Sequence, residues 1–291
     1  MNKKIGLFWL RDDFRVSKNN GLIEATLKHD QVVVFYLYKK LTYKYQEAQK
    51  WWLSKSLIHF RKDLNKLNIN LEIIETDSFK IFFEKLFKKN DFSFYWNKVY
   101  EPDYLKFDEY LLRNFKNKSI SHKICKGNTL NEINEIKKND GTPFKVFTPF
   151  WRTAEKYYIE KIPPKEKIIR KCLKSKSYFK DSIDPKEILP NENWFKNLEN
   201  LWLPNEENAL KELRNFIKNK IKNYSDSRNF PNIIGTSKLS PFIKFGQIHV
   251  ETIWKECEKI KPKNLGITKF LAEIGWREFN HTLINHFPHM L

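Results

Sequence analysis

Seven residues, Gly235-Thr236-Ser237-Lys238-Leu239-Ser240-Pro241, gather three hydroxyls, an ammonium group and a helix-starting proline in one short stretch. Proline is favoured at the first helical position and serine as the cap before it, so Ser240-Pro241 reads as a helix N-terminus. Helix N-termini present free N–H groups and partial positive charge to anions. With the hydroxyls of Thr236, Ser237 and Ser240 and the charge of Lys238, the stretch has the donors of a phosphate or pyrophosphate clamp. The same residues also describe an ordinary capped helix with a polar lead-in. Further along, Glu273 and Trp276 stand three apart and share a face if the segment is helical. Such a pair can stack on an extruded base while the acid hydrogen-bonds its edge. A core tryptophan beside a surface glutamate has the same spacing.

The elements that must position these groups fall into two styles. In the first half, short apolar runs alternate with amphipathic stretches. Strands are predicted at 4–10, 32–37, 71–74, 92–96 and 121–125, and helices at 22–29, 46–67, 79–87 and 104–115. Trp52, Leu57, Phe60, Leu64 and Leu67 form the apolar stripe of the second helix. Alternation of this kind predicts a doubly wound α/β domain with a parallel sheet over residues 1–130. Residues 131–205 read as an interdomain linker. Their second half holds Ile162-Pro163-Pro164, Asp184-Pro185, Leu189-Pro190 and Leu203-Pro204 among many lysines, with no clear strand. From 206 the pattern is helical, with Glu206 and Glu207 in a favourable first turn and helices over 250–260 and 268–287.

Composition narrows the function classes. The 291 residues suggest about two domains, and 41% hydrophobic content supplies ordinary cores. The net charge of +19 suits a polyanionic partner, although lysines are scattered and an AT-rich coding bias produces the same excess. Cys125, Cys172 and Cys257 lie far apart, and the seven histidines show no metal spacing, so neither a zinc site nor a disulfide framework is expected. The unpaired cysteines fit the cytoplasm. The Met1-Asn2-Lys3 start leads into a short apolar run broken by Arg11, Asp12 and Asp13, unlike a signal peptide or membrane span. No Gly-x-Gly-x2-Gly follows the first strand and no Walker Gly-Lys-Ser/Thr is present, which removes the usual NAD and ATP readings.

Five blocks in order carry a family resemblance. They are Leu7-Phe8-Trp9-Leu10-Arg11-Asp12-Asp13-Phe14-Arg15, Trp51-Trp52-Leu53-x3-Leu57, Val146-Phe147-Thr148-Pro149-Phe150-Trp151, the Tyr224-x3-Arg228 to Phe245-Gly246-x-Ile248 region, and Glu273-x2-Trp276-Arg277-Glu278-Phe279. Together they resemble the DNA photolyase/cryptochrome family. The resemblance implies an α/β antenna domain followed by an all-helical FAD domain. It implies light-driven repair of cyclobutane pyrimidine dimers in damaged DNA, with the flavin supplying the electron, by a monomer. It assigns FAD binding to Tyr224, Thr236, Ser237, Lys238, Leu239, Ser240, Phe270 and Arg277, and DNA or dimer contact to Arg228, Glu273 and Trp276. Phe270 stands where tryptophan is common. Tyr100-Glu101-Pro102-Asp103-Tyr104 resembles a folate antenna region, with Glu101 as the ligand candidate. Arg11, Arg15 and Asp13 read instead as fixing the turn after the first strand.

The family's Thr-Gly-Tyr-Pro and His-Asn-Arg segments are not found, so residues 206–291 read as the first part of a C-terminally truncated FAD domain. On that reading, Phe270, Leu271, Ile274, Phe279, Leu283, Ile284 and Phe287 lack partners, the last stretch is poorly ordered, and FAD binding is weak or absent. A cryptochrome-like photoreceptor and an inactive fragment are the alternatives.

Overall fold

Strands β1 (Ile5–Leu10), β2 (Val32–Tyr38), β3 (Asn70–Glu75), β4 (Phe92–Asn97) and β5 (His122–Cys125) pair in parallel, in the order β3-β2-β1-β4-β5. The computed structural model describes residues 4–39, 46–89, 91–161 and 167–290; the Met1-Asn2-Lys3 start and the Ile162-Pro163-Pro164 run lie outside them. Helices α1 (Asn20–Lys28), α2 (Glu47–Lys66), α3 (Phe79–Leu86) and α4 (Pro102–Asn117) make the crossovers. The central strands are apolar at almost every position because both faces are covered. Phe8, Leu10, Val34 and Tyr36 join the α1–α2 side, while Leu7, Trp9, Val33, Phe35, Phe94 and Trp96 join the α3–α4 side. The doubly wound fold therefore stands as the sequence predicts.

The remaining helices are α5 (Phe147–Glu160), α6 (Lys196–Leu201), α7 (Glu206–Asn219), α8 (Tyr224–Ser227), α9 (Ser240–Lys244), α10 (Val250–Glu258) and α11 (Leu265–His286). Asn205 caps α7 by accepting from Asn208 N at 2.7 Å, and Asn264 caps α11 by accepting from Ile267 N at 3.0 Å. Their buried faces continue the α1–α2 core: Leu239, Phe242, Phe245, Phe270 and Ile274 belong to one apolar cluster with Phe8 and Trp52. Polar contacts cross the same boundary. Phe14 N donates to Phe245 O at 3.2 Å, Arg15 Nη1 to Gly246 O at 2.8 Å, and Trp52 Nε1 to Gln247 Oε1 at 3.0 Å. Gly246 has φ +64, and a Cβ there would fall 2.0 Å from Asp12 O, so this crossing requires glycine.

Two expectations meet a different arrangement. The interval 131–205 is more than a connection. It contains α5, whose Phe150 and Ala154 pack with Phe279 of α11. Its later part straps the β3 edge. Tyr178 N and Phe179 N donate to the buried Glu72 carboxylate at 2.9 and 2.7 Å, Ile183 N donates to Ile73 O at 2.9 Å, and Cys172 N donates to Leu67 O at 2.9 Å. An edge strand offers unpaired backbone groups, and covering it removes a template for wrong pairing. The final stretch also finds partners: Phe270, Leu271, Ile274 and Phe279 are buried against α5, α7 and α8, whereas Leu283, Ile284 and Phe287 are only partly covered.

Candidate functional site

A cleft of about 550 Å³ opens between α11, α9, Tyr224 of α8 and the stretch that follows β4. From α11 it receives Phe270, Glu273, Trp276 and Arg277, spaced three, three and one, so one helical face supplies them. Ser237 and Ser240 come from the loop and first turn of α9, and Glu101 and Lys98 close the opposite wall. Tyr224 and Phe270 form the floor with ring centroids 5.4 Å apart at near right angles. Phe216 supports Phe270 from beneath at 4.6 Å.

Glu273 pairs with the Arg228 guanidinium, which also lies over the Tyr224 ring at 5.4 Å. The carboxylate raises Arg228 above the usual guanidinium range. Trp276 is 43% exposed and stacks on Phe147, centroids 3.8 Å apart and planes within 7°. Arg277 Nη1 donates to Asn128 O at 2.6 Å, and desolvation pushes its pKa down. Its neighbour Glu278 turns the other way and accepts from Leu130 N at 3.1 Å and Asn131 N at 3.3 Å. Burial raises the Glu278 carboxyl to about 7, outweighing Arg277 and the two N–H donors. His281 packs on Tyr100 at 5.6 Å, and burial with nearby Arg277 and Lys244 holds it down to about 3.

The sequence-predicted residues divide around this cleft. Tyr224, Ser237, Ser240, Phe270, Glu273, Trp276, Arg277 and Glu101 line it. Arg228 meets it through Glu273 and the Tyr224 ring rather than lining it. Thr236, Lys238 and Leu239 are not among its walls: Thr236 is exposed, Leu239 is buried in the core, and Lys238 carries its ammonium to 5.9 Å from the Trp202 ring. Lys238 has φ +57, and that left-handed turn redirects the chain between Ser237 and Ser240. The Ser240 cap requires correction. Ser240 is the first residue of the five-residue α9, Leu239 holds the cap position, and no side chain caps it. Only Ser237 Oγ accepts from this backbone, from Leu239 N at 3.3 Å.

At the C-terminal ends of β1 and β4, where strand order reverses, open sheets usually offer a ligand crevice. Here the chain fills it. Arg11 pairs with Asp108 at 3.0 Å and reaches Asn97 O, and Arg11 N donates to Asp13 Oδ1 at 3.0 Å. Asn97 Nδ2 in turn donates to Asp13 Oδ2 and to Asn19 Oδ1 at 2.7 Å. Arg11, Asp13 and Arg15 thus hold the turn after the first strand. On the cleft side, Glu101 accepts from Lys244 Nζ at 2.9 Å.

The sequence pattern of the DNA photolyase family matches residues 6–167. The chain belongs to the DNA photolyase family. It is 28% identical to the deoxyribodipyrimidine photo-lyase of Agrobacterium fabrum over 98% of its own length and 60% of that protein. It is 27% identical to Cryptochrome-2 of Arabidopsis thaliana over 99% of its length and 50% of that protein. The crystal structure of a bacterial class III photolyase from Agrobacterium tumefaciens superposes with a TM-score of 0.87 at 28% identity, covering all of this chain and 61% of that one. This photolyase-family chain therefore spans about 60% of the length of such photolyase relatives.

Two residues of the site escaped the sequence reading in this photolyase-family chain. Phe147 sits in a quoted motif, yet only the fold brings it behind Trp276. Glu278 lies inside the Trp-Arg-Glu-Phe run, where a carboxylate flanked by an arginine and a core phenylalanine hints at burial. No helix among the described residues is long and apolar enough to cross a membrane.

Proposed function

We propose that this chain binds FAD and DNA carrying cyclobutane pyrimidine dimers, and that it serves the light-driven splitting of those dimers. The observation that carries the reading is convergence. Tyr224, Ser237, Ser240, Phe270, Glu273, Trp276 and Arg277, which come from three separated segments, meet in a single cleft. The donor set suits the cofactor: aromatic faces for a flat ring, two hydroxyls and a partly buried guanidinium for a diphosphate. When bound, FAD supplies the photochemical electron transfer; the chain's own residues bind, orient and exclude water. Trp276 offers a stacking face to an extruded base and Glu273 an acceptor to its edge. Arg228 holds that carboxylate and contributes positive charge for the DNA backbone. Residues 1–130 act as the antenna domain, with Glu101 as contact for a folate-type chromophore, and 206–291 contribute to the FAD domain, joined by the 131–205 segment that also carries α5 and the β3 strap. The protein works as a cytoplasmic monomer, to which its three free, buried cysteines are suited.

The test is dimer loss. Ultraviolet-irradiated plasmid is incubated with the purified chain in reducing buffer, in blue light and in the dark, and dimers are counted with a dimer-specific endonuclease. Light-dependent loss is expected. Flavin retention without loss in either arm would favour the cryptochrome-like photoreceptor, for which the 27% identity to a plant cryptochrome speaks.

A further inference from the structure

We propose that Phe147 is a positioning residue for Trp276, holding its indole as a prebuilt one-sided platform that distinguishes extruded dimers from ordinary DNA. This rests on the dimer-binding reading of the cleft. Trp276 lines the cleft and Phe147 does not, so Phe147 covers the indole face that points away from it. The two planes lie within 7° at a centroid distance of 3.8 Å, full face-to-face contact. Phe147 is fixed in turn. It is the first residue of α5, its ring runs parallel to Trp151 one turn later (8°, 6.4 Å), and it meets Phe279 edge-on at 5.9 Å. Trp151 is itself pressed against α11, where a Cβ on Gly275 would fall 2.3 Å from its ring, and Trp254 meets it edge-on at 5.9 Å. The plane of Trp276 is therefore set by α5, an element on the far side from the ligand.

A half-exposed tryptophan on a helix otherwise samples several rotamers, and binding a flat ligand must freeze one of them. Phe147 fixes the plane beforehand and leaves one face open, so a base is accepted from the cleft side only. Undamaged duplex keeps its bases stacked and gains nothing from the platform. Loss of Phe147 should therefore weaken binding to dimer-containing DNA and spare binding to undamaged DNA.

The experiment uses the full chain and two labelled oligonucleotides of one sequence, one with a single cyclobutane thymine dimer, with Kd read by fluorescence anisotropy. Phe147→Leu removes the ring but keeps apolar bulk, and should reduce affinity for the dimer strand roughly three- to ten-fold, the range of an aromatic pair, with Kd for undamaged DNA unchanged. Phe147→Tyr keeps the stack and should restore the wild-type preference. If Phe147→Leu does not fold, Phe147→Met, a flexible apolar filler without a ring plane, carries the same expectation. Equal weakening on both DNAs, or an unchanged preference in the Leu and Met variants while Trp276→Ala loses it, overturns the role of Phe147 and leaves the dimer reading standing. A wild-type chain with no preference for the dimer strand overturns that reading, and the positioning role with it.

Discussion

Replacing Glu278 by glutamine should change how stability depends on pH, and the change can be worked from the structure. Glu278 is 5% exposed, and its carboxyl is raised from 4.5 to about 7, chiefly by desolvation. The folded state thus holds this proton more tightly than the unfolded chain. Its contribution is fully present below about pH 4.5 and is lost as pH rises through about 7. A shift of about 2.5 units at about 1.36 kcal/mol per unit corresponds to about 3 kcal/mol lost across that window. His281 works in the opposite sense. Its pKa falls from 6.5 to about 3, so its stabilisation is present above 6.5 and fades as pH falls toward 3. The two partly cancel in the wild type, and only the difference between wild type and variant isolates Glu278. The glutamine side chain keeps a carbonyl for Leu130 N and Asn131 N but cannot ionise. Urea unfolding of both proteins at half-unit steps from pH 5 to 8.5 should show Glu278→Gln gaining on the wild type by about 2–3 kcal/mol, with most of the gain between about pH 5.5 and 7.5. A difference that stays flat across this range would refute the raised carboxyl. Arg277 and the two N–H donors would then outweigh desolvation, and any pH dependence would lie below about pH 4.5.

Trp276→Ala should weaken binding to dimer-containing DNA by roughly 1–3 kcal/mol, the worth of one base–aromatic stack, with undamaged DNA as the unchanged control in the same titration. Arg228→Ala should lower affinity for any DNA and reduce the slope of log K against log salt by about one, as loss of a phosphate contact does; an unchanged slope would confine Arg228 to its pair with Glu273. Gly266→Ala places a Cβ 1.8 Å from Ile221 O, and the forced shift should destabilise the fold by roughly 1–3 kcal/mol in thermal melts, without altering the DNA salt slope.

The α/β half was legible because its strands are short, continuous apolar runs and its helices carry clean stripes; the observed bounds differ from the predicted ones by two residues or fewer on almost every element. The strap over β3 was not legible. Its backbone is satisfied by the Glu72 carboxylate and by Ile73, more than a hundred residues earlier, and no local periodicity records such bonds. In the cleft, helical spacing put Glu273 and Trp276 on one face, and the family resemblance gave them and Arg277 their roles. The Arg228–Glu273 pair and the Phe147–Trp276 stack join distant segments, so spacing says nothing about them. The Ser/Thr/Lys stretch failed in a different way. Seven adjacent residues suggested one clamp, but the left-handed Lys238 sends the hydroxyls of Ser237 and Ser240 to the cleft and its own ammonium to Trp202.

The packing of α5 on α11 also sets a timetable for synthesis. All five strands have been made once Cys125 leaves the ribosome, so the sheet can close early. Helix α5 ends at Glu160, and its partner begins at Leu265, 105 residues later. At roughly 5–20 residues per second, about 5–20 s pass with Phe150 and Ala154 covered only by their earlier neighbours Ile136 and Phe144 and not yet by Phe279. In that interval the nascent chain carries a finished sheet beside a sticky helix, which makes α5 the segment that a trigger-type chaperone should engage and slower translation should expose longest.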